Sequence, residues 1–306
     1  MRVGIVGLGR MGANLARAAL EHGHQVLGYD PAESARRELA AEGLEPAGAL
    51  EELVDKLTPP RIVVVYVPHG DPTERVCEQL RALLSGGDVV VDGGNSHWED
   101  SRRRHEAFAR EEIRFLDVGT SGGLRGARHG ACFMAGGDRA AYELVEPLLR
   151  DLAFDNEATL FVGPPGSGHF VKLIHNAIEF GMVQAIAEGA EMLMRAEYSL
   201  DLPALFHNWN HGSVIRSWLI ELMRDGLRDN PDFERLSTYV EDTGEVKWVL
   251  GWALDRDIPS PVIADSQQAL MNYRDLDSAQ AKAVALLRHG FGGHPLHQRV
   301  EQLARA

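Results

Sequence analysis

The sequence predicts an α/β first half, built as a doubly wound and mostly parallel sheet, joined to an all-α second half. Three observations predict it. Short apolar runs alternate with longer amphipathic segments through the first half, which is the pattern of βαβ units. The stretch 163–168 (GPPGSG) then interrupts regular structure. Beyond it, apolar residues recur at helical spacing and proline punctuates the segments.

In chain order, strands are expected at 2–6, 25–29, 61–67, 88–92 and 114–118, where apolar residues cluster between turn formers. Helices are expected between them at 11–22, 72–84 and 97–111, and two further apolar pieces, 132–135 and 159–162, extend the sheet. A long helix follows from 168 to about 195, a stretch without proline. Later segments are helical, with stops expected at Pro203, Pro231, Pro259, Pro261 and Pro295. The change of texture places a domain boundary near residue 165, giving a dinucleotide-binding domain over 1–165 and a helical domain over 166–306. No internal repeat is visible.

A chain of 306 residues is long enough for two domains with their own cores. Its formal charge of −14 repels a phosphate backbone, which argues against nucleic acid as a partner. An anionic ligand must be caught by a local site. Only Cys77 and Cys132 are present, far apart and without metal-ligand spacing, so neither a disulfide scaffold nor a structural zinc site is expected. Both are read as small buried residues. The longest apolar run, 62–67, is far short of the roughly 20 residues that span a bilayer. The opening MRVGIVGLGRMG is too short and too broken by glycine for a signal peptide. A cytoplasmic protein without a membrane partner is expected.

Gly7-Leu8-Gly9-Arg10-Met11-Gly12 forms G-x-G-x-x-G directly between the first strand and the first helix. Glycines there permit a tight turn and let backbone N–H groups approach a pyrophosphate at the helix N-terminus, as in a Rossmann-like fold. A plain helix-capping turn is the alternative, but Asp30 closes the second strand at the distance where a carboxylate accepts from ribose hydroxyls. That carboxylate repels a 2′-phosphate and Pro31 offers no cation, so NAD is favoured over NADP. Arg36 and Arg37 are assigned to a solvated helix face.

Lys172, His175, Asn176 and Glu179 stand at i, i+3, i+4 and i+7, on one face of the long helix. A solvated face with pairing along the helix is one reading. The apolar neighbours Phe170, Val171, Leu173 and Ile174 support another, in which a partly desolvated Lys172 has its charged form disfavoured and serves as a general base.

The segments 7–15 (GLGRMGANL), 92–96 (DGGNS), 121–128 (SGGLRGAR), 166–179 (GSGHFVKLIHNAIE), 208–218 (NWNHGSVIRSW) and 291–294 (FGGH) together resemble 6-phosphogluconate dehydrogenase. The likeness is to its short, often NAD-linked branch within the β-hydroxyacid dehydrogenases, and it covers nearly the whole chain. The resemblance implies that Lys172 takes the proton of the substrate C3 hydroxyl as hydride leaves for the nicotinamide. It implies that Glu179 protonates C2 after decarboxylation, and that Asn176 and His175 bind substrate hydroxyls. Ser121, Gly122 and Gly123 would hold the substrate near its carboxylate. Asn95 would bridge cofactor and substrate, and Val67, Pro68 and His69 would line the nicotinamide half. A homo-oligomer, dimeric or larger, is also implied, and no metal is required.

Three departures bear on the substrate. Phe180 replaces a tyrosine, Leu270 replaces a phosphate-binding arginine, and Thr243 stands where a lysine is usual. Arg274, Arg216 and Lys247 are candidate replacements for the lost donors. The leading expectation is NAD-dependent oxidative decarboxylation of 6-phosphogluconate. A non-phosphorylated aldonate such as gluconate, or another β-hydroxyacid, is the second reading, and a non-catalytic dinucleotide sensor the third.

Overall fold

The computed structural model describes residues 1–274, 278–292 and 295. The first half runs β1 (Arg2–Val6), α1 (Arg10–Glu21), β2 (Gln25–Tyr29), α2 (Glu33–Ala40), β3 (Glu45–Pro46), α3 (Leu50–Lys56), β4 (Ile62–Val65), α4 (Asp71–Leu83), β5 (Val89–Asp92) and α5 (Trp98–Ala109). It continues with β6 (Arg114–Ser121), α6 (Gly123–His129), β7 (Cys132–Gly137), α7 (Arg139–Leu152) and β8 (Thr159–Gly163). Among the described residues six α-helices follow: α8 (Ser167–Met194), α9 (Leu202–Trp209), α10 (Trp218–Asp229), α11 (Glu245–Leu254), α12 (Pro261–Arg274) and α13 (Ala279–Gly292).

The strands form one sheet in the order β3-β2-β1-β4-β5-β6-β7-β8. All neighbours are parallel except β6 and β7. Strand alternation divides the core into two layers. Val3, Ile5, Val64, Val91 and Val118 face a cluster closed by α1 and α7, while Val63, Val65, Val90 and Phe115 face one closed by α3, α4 and α5. Helices on both faces explain why β4 (IVVV) and β5 (VVVD) read as unbroken apolar runs.

The chain forms two compact units. One comprises Met1–Ile178 with Glu245–Trp252, the other Glu179–Gly244 with the described residues from Ala253 onward. The first unit extends into α8 because the start of that helix packs directly on the sheet. Asp117 on β6 is fully buried, and its two carboxylate oxygens accept from the N–H groups of Gly166 and His169, each at 2.8 Å. A carboxylate at a helix N-terminus satisfies amides that have no partner within the helix. Burial pushes the Asp117 carboxyl above the usual carboxylate range, with nearby His169 and the two amides pulling the other way. Glycines make the close approach possible. A Cβ at Gly168 would lie 2.1 Å from the carbonyl oxygen of Asp117, and one at Gly119 would lie 2.4 Å from Cβ of Lys172.

In the second unit, Ala190, Phe206 and Ile220 form a small buried cluster with Ile186, Leu193, Leu202 and Trp209 against it. The side chain of Asp201 caps α9 and that of Ser217 caps α10. Met182, Val183, Met192, Val214 and Ile215 of this unit remain exposed. No described helix is long and apolar enough to cross a membrane.

Several expectations are corrected. Helices α3, α6 and α7 and the two-residue β3 are additions to the expected elements, while α2 is the helix expected around Arg36 and Arg37. Pro203 and Pro261 open helices and do not end them, since the first turn needs no N–H from proline. Cys132 is exposed at the start of β7, whereas Cys77 is buried as expected.

Asp117→Ala should cost about 2–4 kcal/mol, the scale of two hydrogen bonds to a charged acceptor, and lower the urea midpoint accordingly. Gly119→Ala should lower Tm with unchanged far-ultraviolet dichroism, because overpacking at this scale costs about 1–3 kcal/mol. An unaltered melt would show that α8 does not rest on Gly119 in solution.

Candidate active site

The parallel strands β1, β4, β5 and β6 deliver the sequence-predicted groups at their carboxyl ends, where open α/β sheets bind ligands. Gly7 has φ +91°, and its N–H donates to the carbonyl of Tyr29 at 2.8 Å. A Cβ at Gly12 would lie 1.9 Å from the carbonyl oxygen of Gly7, so the turn from β1 to α1 is closed to any larger residue. A Cβ at Gly9 would meet nothing within 4 Å, and α1 has no side-chain cap. Leu8, Arg10 and Met11 complete this turn. Its free space and uncapped helix start fit the pyrophosphate of a dinucleotide.

Asp30 stands beside this turn at the end of β2. Its Oδ2 accepts from the N–H of Leu8 and its Oδ1 from the N–H of Ala32, both at 2.8 Å. The carboxylate therefore braces the glycine turn. Arg36 is not on a solvated face: its guanidinium folds back to donate to the carbonyl of Asp30. Arg37 behaves as expected, pairing with Glu33 in solvent.

Beyond β4, the loop of Val67, Pro68 and His69 is held by Thr73, whose hydroxyl donates to the Pro68 carbonyl at 2.8 Å. Tyr66 just before it hydrogen-bonds with Thr120 at 3.0 Å, and burial pushes its hydroxyl up to about 12. Beyond β5, Asp92 accepts from the N–H of Gly94 at 3.1 Å, Ser96 Oγ at 2.8 Å and Arg104 Nη1 at 3.1 Å. Arg104 is itself buried and pairs with Glu74. This brace carries Asn95, whose Nδ2 donates to Glu245 Oε1 at 2.5 Å. His97 stacks on Trp98 with ring centres 4.1 Å apart, and burial lowers its pKa below the usual histidine value.

At the end of β6, Ser121 is followed by Gly122 with φ +115° and Gly123 with φ +58°. The motif is the strand end and the first turn of α6, with the Gly126 N–H donating to the Gly122 carbonyl at 2.8 Å. Ser121 Oγ lies 3.0 Å from His175 Nε2, and Lys172 Nζ lies 3.4 Å from His175 Nδ1. A neutral His175 protonated on Nε2 suits both contacts, donating to the serine and offering Nδ1 to the lysine. Asn176 Oδ1 is 3.4 Å from the same Nδ1. Lys172 is nine-tenths buried, and Cys132 on β7 is within reach of its charge.

The structure thus joins Lys172, His175 and Ser121 by hydrogen bonds through the His175 ring, with the Asn176 amide beside the same ring. Glu179 follows Lys172 by seven residues on the same helix and opens the second unit. Sequence reasoning missed Glu245, Arg104, Thr73 and Trp248. Glu245 and Trp248 lie two and five residues after Thr243, the position where a lysine is usual. A groove of about 550 Å³ between α5 and the start of α8, lined by Trp98, Arg102, His105 and Phe170, contains none of the expected site residues. Among the described residues no cluster of metal-ligating side chains occurs. Of the 291–294 motif, residues 293 and 294 lie outside the described residues.

The profile of the NAD binding domain of 6-phosphogluconate dehydrogenase matches residues 2–163, and that of the 6-phosphogluconate dehydrogenase C-terminal domain matches 168–298. The chain is 45% identical over 301 residues to the protein YqeC of Bacillus subtilis, covering 98% of this chain and 100% of that one. It is 37% identical over 300 residues to the NAD(+)-dependent, decarboxylating 6-phosphogluconate dehydrogenase of Haloferax volcanii, covering 98% and 99%. The structure of Plasmodium falciparum 6-phosphogluconate dehydrogenase, solved with NADP+ and with 6-phosphogluconate, superposes with a TM-score of 0.85 at 26% identity, over 99% of this chain and 67% of that one. The chain belongs to the 6-phosphogluconate dehydrogenase family of decarboxylating oxidoreductases that act on CH–OH groups, and it carries that family's NAD-binding domain.

Proposed function

We propose that this protein catalyses NAD-dependent oxidative decarboxylation of 6-phosphogluconate to ribulose 5-phosphate, CO2 and NADH. The observation that carries the reading is the group formed by Lys172, His175 and Ser121, a buried lysine amine in line with a histidine and a hydroxyl at the carboxyl end of β6. Residues 1–165 hold the dinucleotide and residues 166–306 complete the sugar-acid site.

Gly7, Leu8, Gly9, Arg10, Met11 and Gly12 cradle the pyrophosphate, Asp30 faces the adenosine ribose, and Val67, Pro68 and His69 flank the nicotinamide. Held there, the nicotinamide would supply the acceptor for the C3 hydride. Lys172, unprotonated at that moment, takes the C3 hydroxyl proton. Lys172 then returns the proton to the C3 carbonyl oxygen as the carboxylate leaves as CO2, which gives the electron pair of the breaking bond a place in the enediol. Glu179 protonates C2 while Lys172 takes back the proton of the C3 enol hydroxyl, which completes the ketopentose. His175 and Asn176 bind substrate hydroxyls, while Ser121 with the Gly122 and Gly123 backbone holds the carboxylate end. Asp30 supports NAD over NADP through its charge, and Arg36 is engaged by the Asp30 carbonyl.

A second reading, a non-phosphorylated aldonate such as gluconate, is favoured by the phosphate side of the site. Phe180 and Leu270 offer no donors, and Arg274, one turn beyond Leu270, lies 3.4 Å from the carboxylate of Asp242, which is buried. Lys247 and Arg216 are exposed and remain the candidate cations. The exposed apolar face of the second unit, with a groove of about 510 Å³ lined by Met182, Ile186, Val214 and Ile215, supports assembly with another copy.

The decisive experiment supplies NAD or NADP with either 6-phosphogluconate or gluconate and follows nicotinamide reduction and CO2 together. Reduction of NAD with CO2 from 6-phosphogluconate is expected, and turnover of gluconate alone would establish the second reading. Reduction without CO2 would overturn decarboxylation for this chain. Lys172→Ala should lower kcat by about 10²–10⁴ while NADH binding persists. Light scattering should give at least the mass of a dimer, and Val214→Asp should reduce it.

A further inference from the structure

We infer that Glu245 is a positioning residue that fixes the polarity of Asn95, so that the amide offers its carbonyl oxygen to the substrate and the nicotinamide. The inference rests on the site assignment of Asn95 in the proposed function.

An asparagine amide has a donating end and an accepting end, and rotation by half a turn about its last bond exchanges them. Which end faces a ligand is set by the group at the other end. Here that group is a carboxylate, which only accepts. Glu245 is 7% exposed and stands at the first turn of α11, where helix N–H groups favour a negative charge. With Nδ2 of Asn95 donating to Glu245 Oε1 at 2.5 Å, the reversed amide would press two acceptor oxygens together at the same distance. Oδ1 therefore points away from Glu245.

Two other contacts remove the remaining freedom. The backbone around Asn95 is tied down on both sides by Asp92, which holds Gly94 and Ser96 and is itself held by Arg104. The helix carrying Glu245 is tied to both cofactor loops by Trp248, whose ring lies edge-on to His69 at 5.2 Å and to His97 at 5.0 Å. A fixed carbonyl oxygen selects ligands that donate at that point, namely a sugar hydroxyl or a carboxamide N–H.

The test exchanges the two polar groups. Glu245→Gln, Asn95→Asp and the double variant Asn95→Asp/Glu245→Gln are compared with the parent for sugar-acid KM and kcat, NADH dissociation constant by tryptophan fluorescence, and Tm. Glu245→Gln should lower kcat/KM and NADH affinity by about tenfold, and Asn95→Asp, which sets two carboxylates face to face, by about a hundredfold. The double variant restores a donor opposite an acceptor and keeps an oxygen toward the ligand, so it should recover to within about tenfold of the parent. A double variant no better than Asn95→Asp would overturn the proposal. So would losses that follow Tm across all three variants, because they would make Glu245 a structural contact only. If the parent turns over neither sugar acid, the proposed function fails by itself. The exchange is then judged on NADH affinity, where absence of recovery still overturns the positioning role.

Discussion

Asp117 must keep two amides at the start of α8 within hydrogen-bonding distance while itself buried in the sheet. A carboxylate removed from water without such partners is far more costly than one that has them, so the contact fixes where the helix begins. Once Gly166 and His169 are in place, the helical repeat determines the azimuth of every later side chain. Lys172 then falls on Gly119, and His175 reaches Ser121 at the end of the same strand. Lys172 is placed by backbone geometry more than by its own contacts.

The other half of the site obeys a similar economy. Four parallel strands end at one edge of the sheet, and the loop leaving each supplies one function: the glycine turn, the Pro68 loop, Asn95 and Ser121. Each loop has its own fastening, Asp30 to Leu8, Thr73 to Pro68, Asp92 to Gly94 and Gly122 to Gly126. The protein is acidic overall, yet the carboxylates of Asp30 and Asp92 at this edge are turned toward the backbone they brace.

Much of this was legible in the sequence for reasons that are local. The buried parallel strands are continuous runs of valine and isoleucine, and the i, i+3, i+4, i+7 pattern from Lys172 to Glu179 needs only a helix to become one face. Helix α7 was hidden because Pro147 lies in its interior, although its buried Tyr142, Val145, Leu149 and Leu152 keep helical spacing. Helix α6 was hidden by the glycines that allow its tight start. The pairing of Asn95 with Glu245 spans 150 residues and has no periodic trace. The folded position of Arg36 was likewise invisible, because a solvent-facing arginine and one turned back on a carbonyl occupy the same place in a helical pattern.

The excursion of Glu245–Trp252 into the first unit also has a meaning for the order of events during synthesis. All eight strands have been made by residue 163, yet the partner of Asn95 is translated roughly eighty residues later. At about 5–20 residues per second, the sheet waits several seconds for it. A nascent chain therefore passes through a stage with a finished sheet and an unclamped cofactor edge, and the nucleotide half matures only when a segment from far downstream comes back to it.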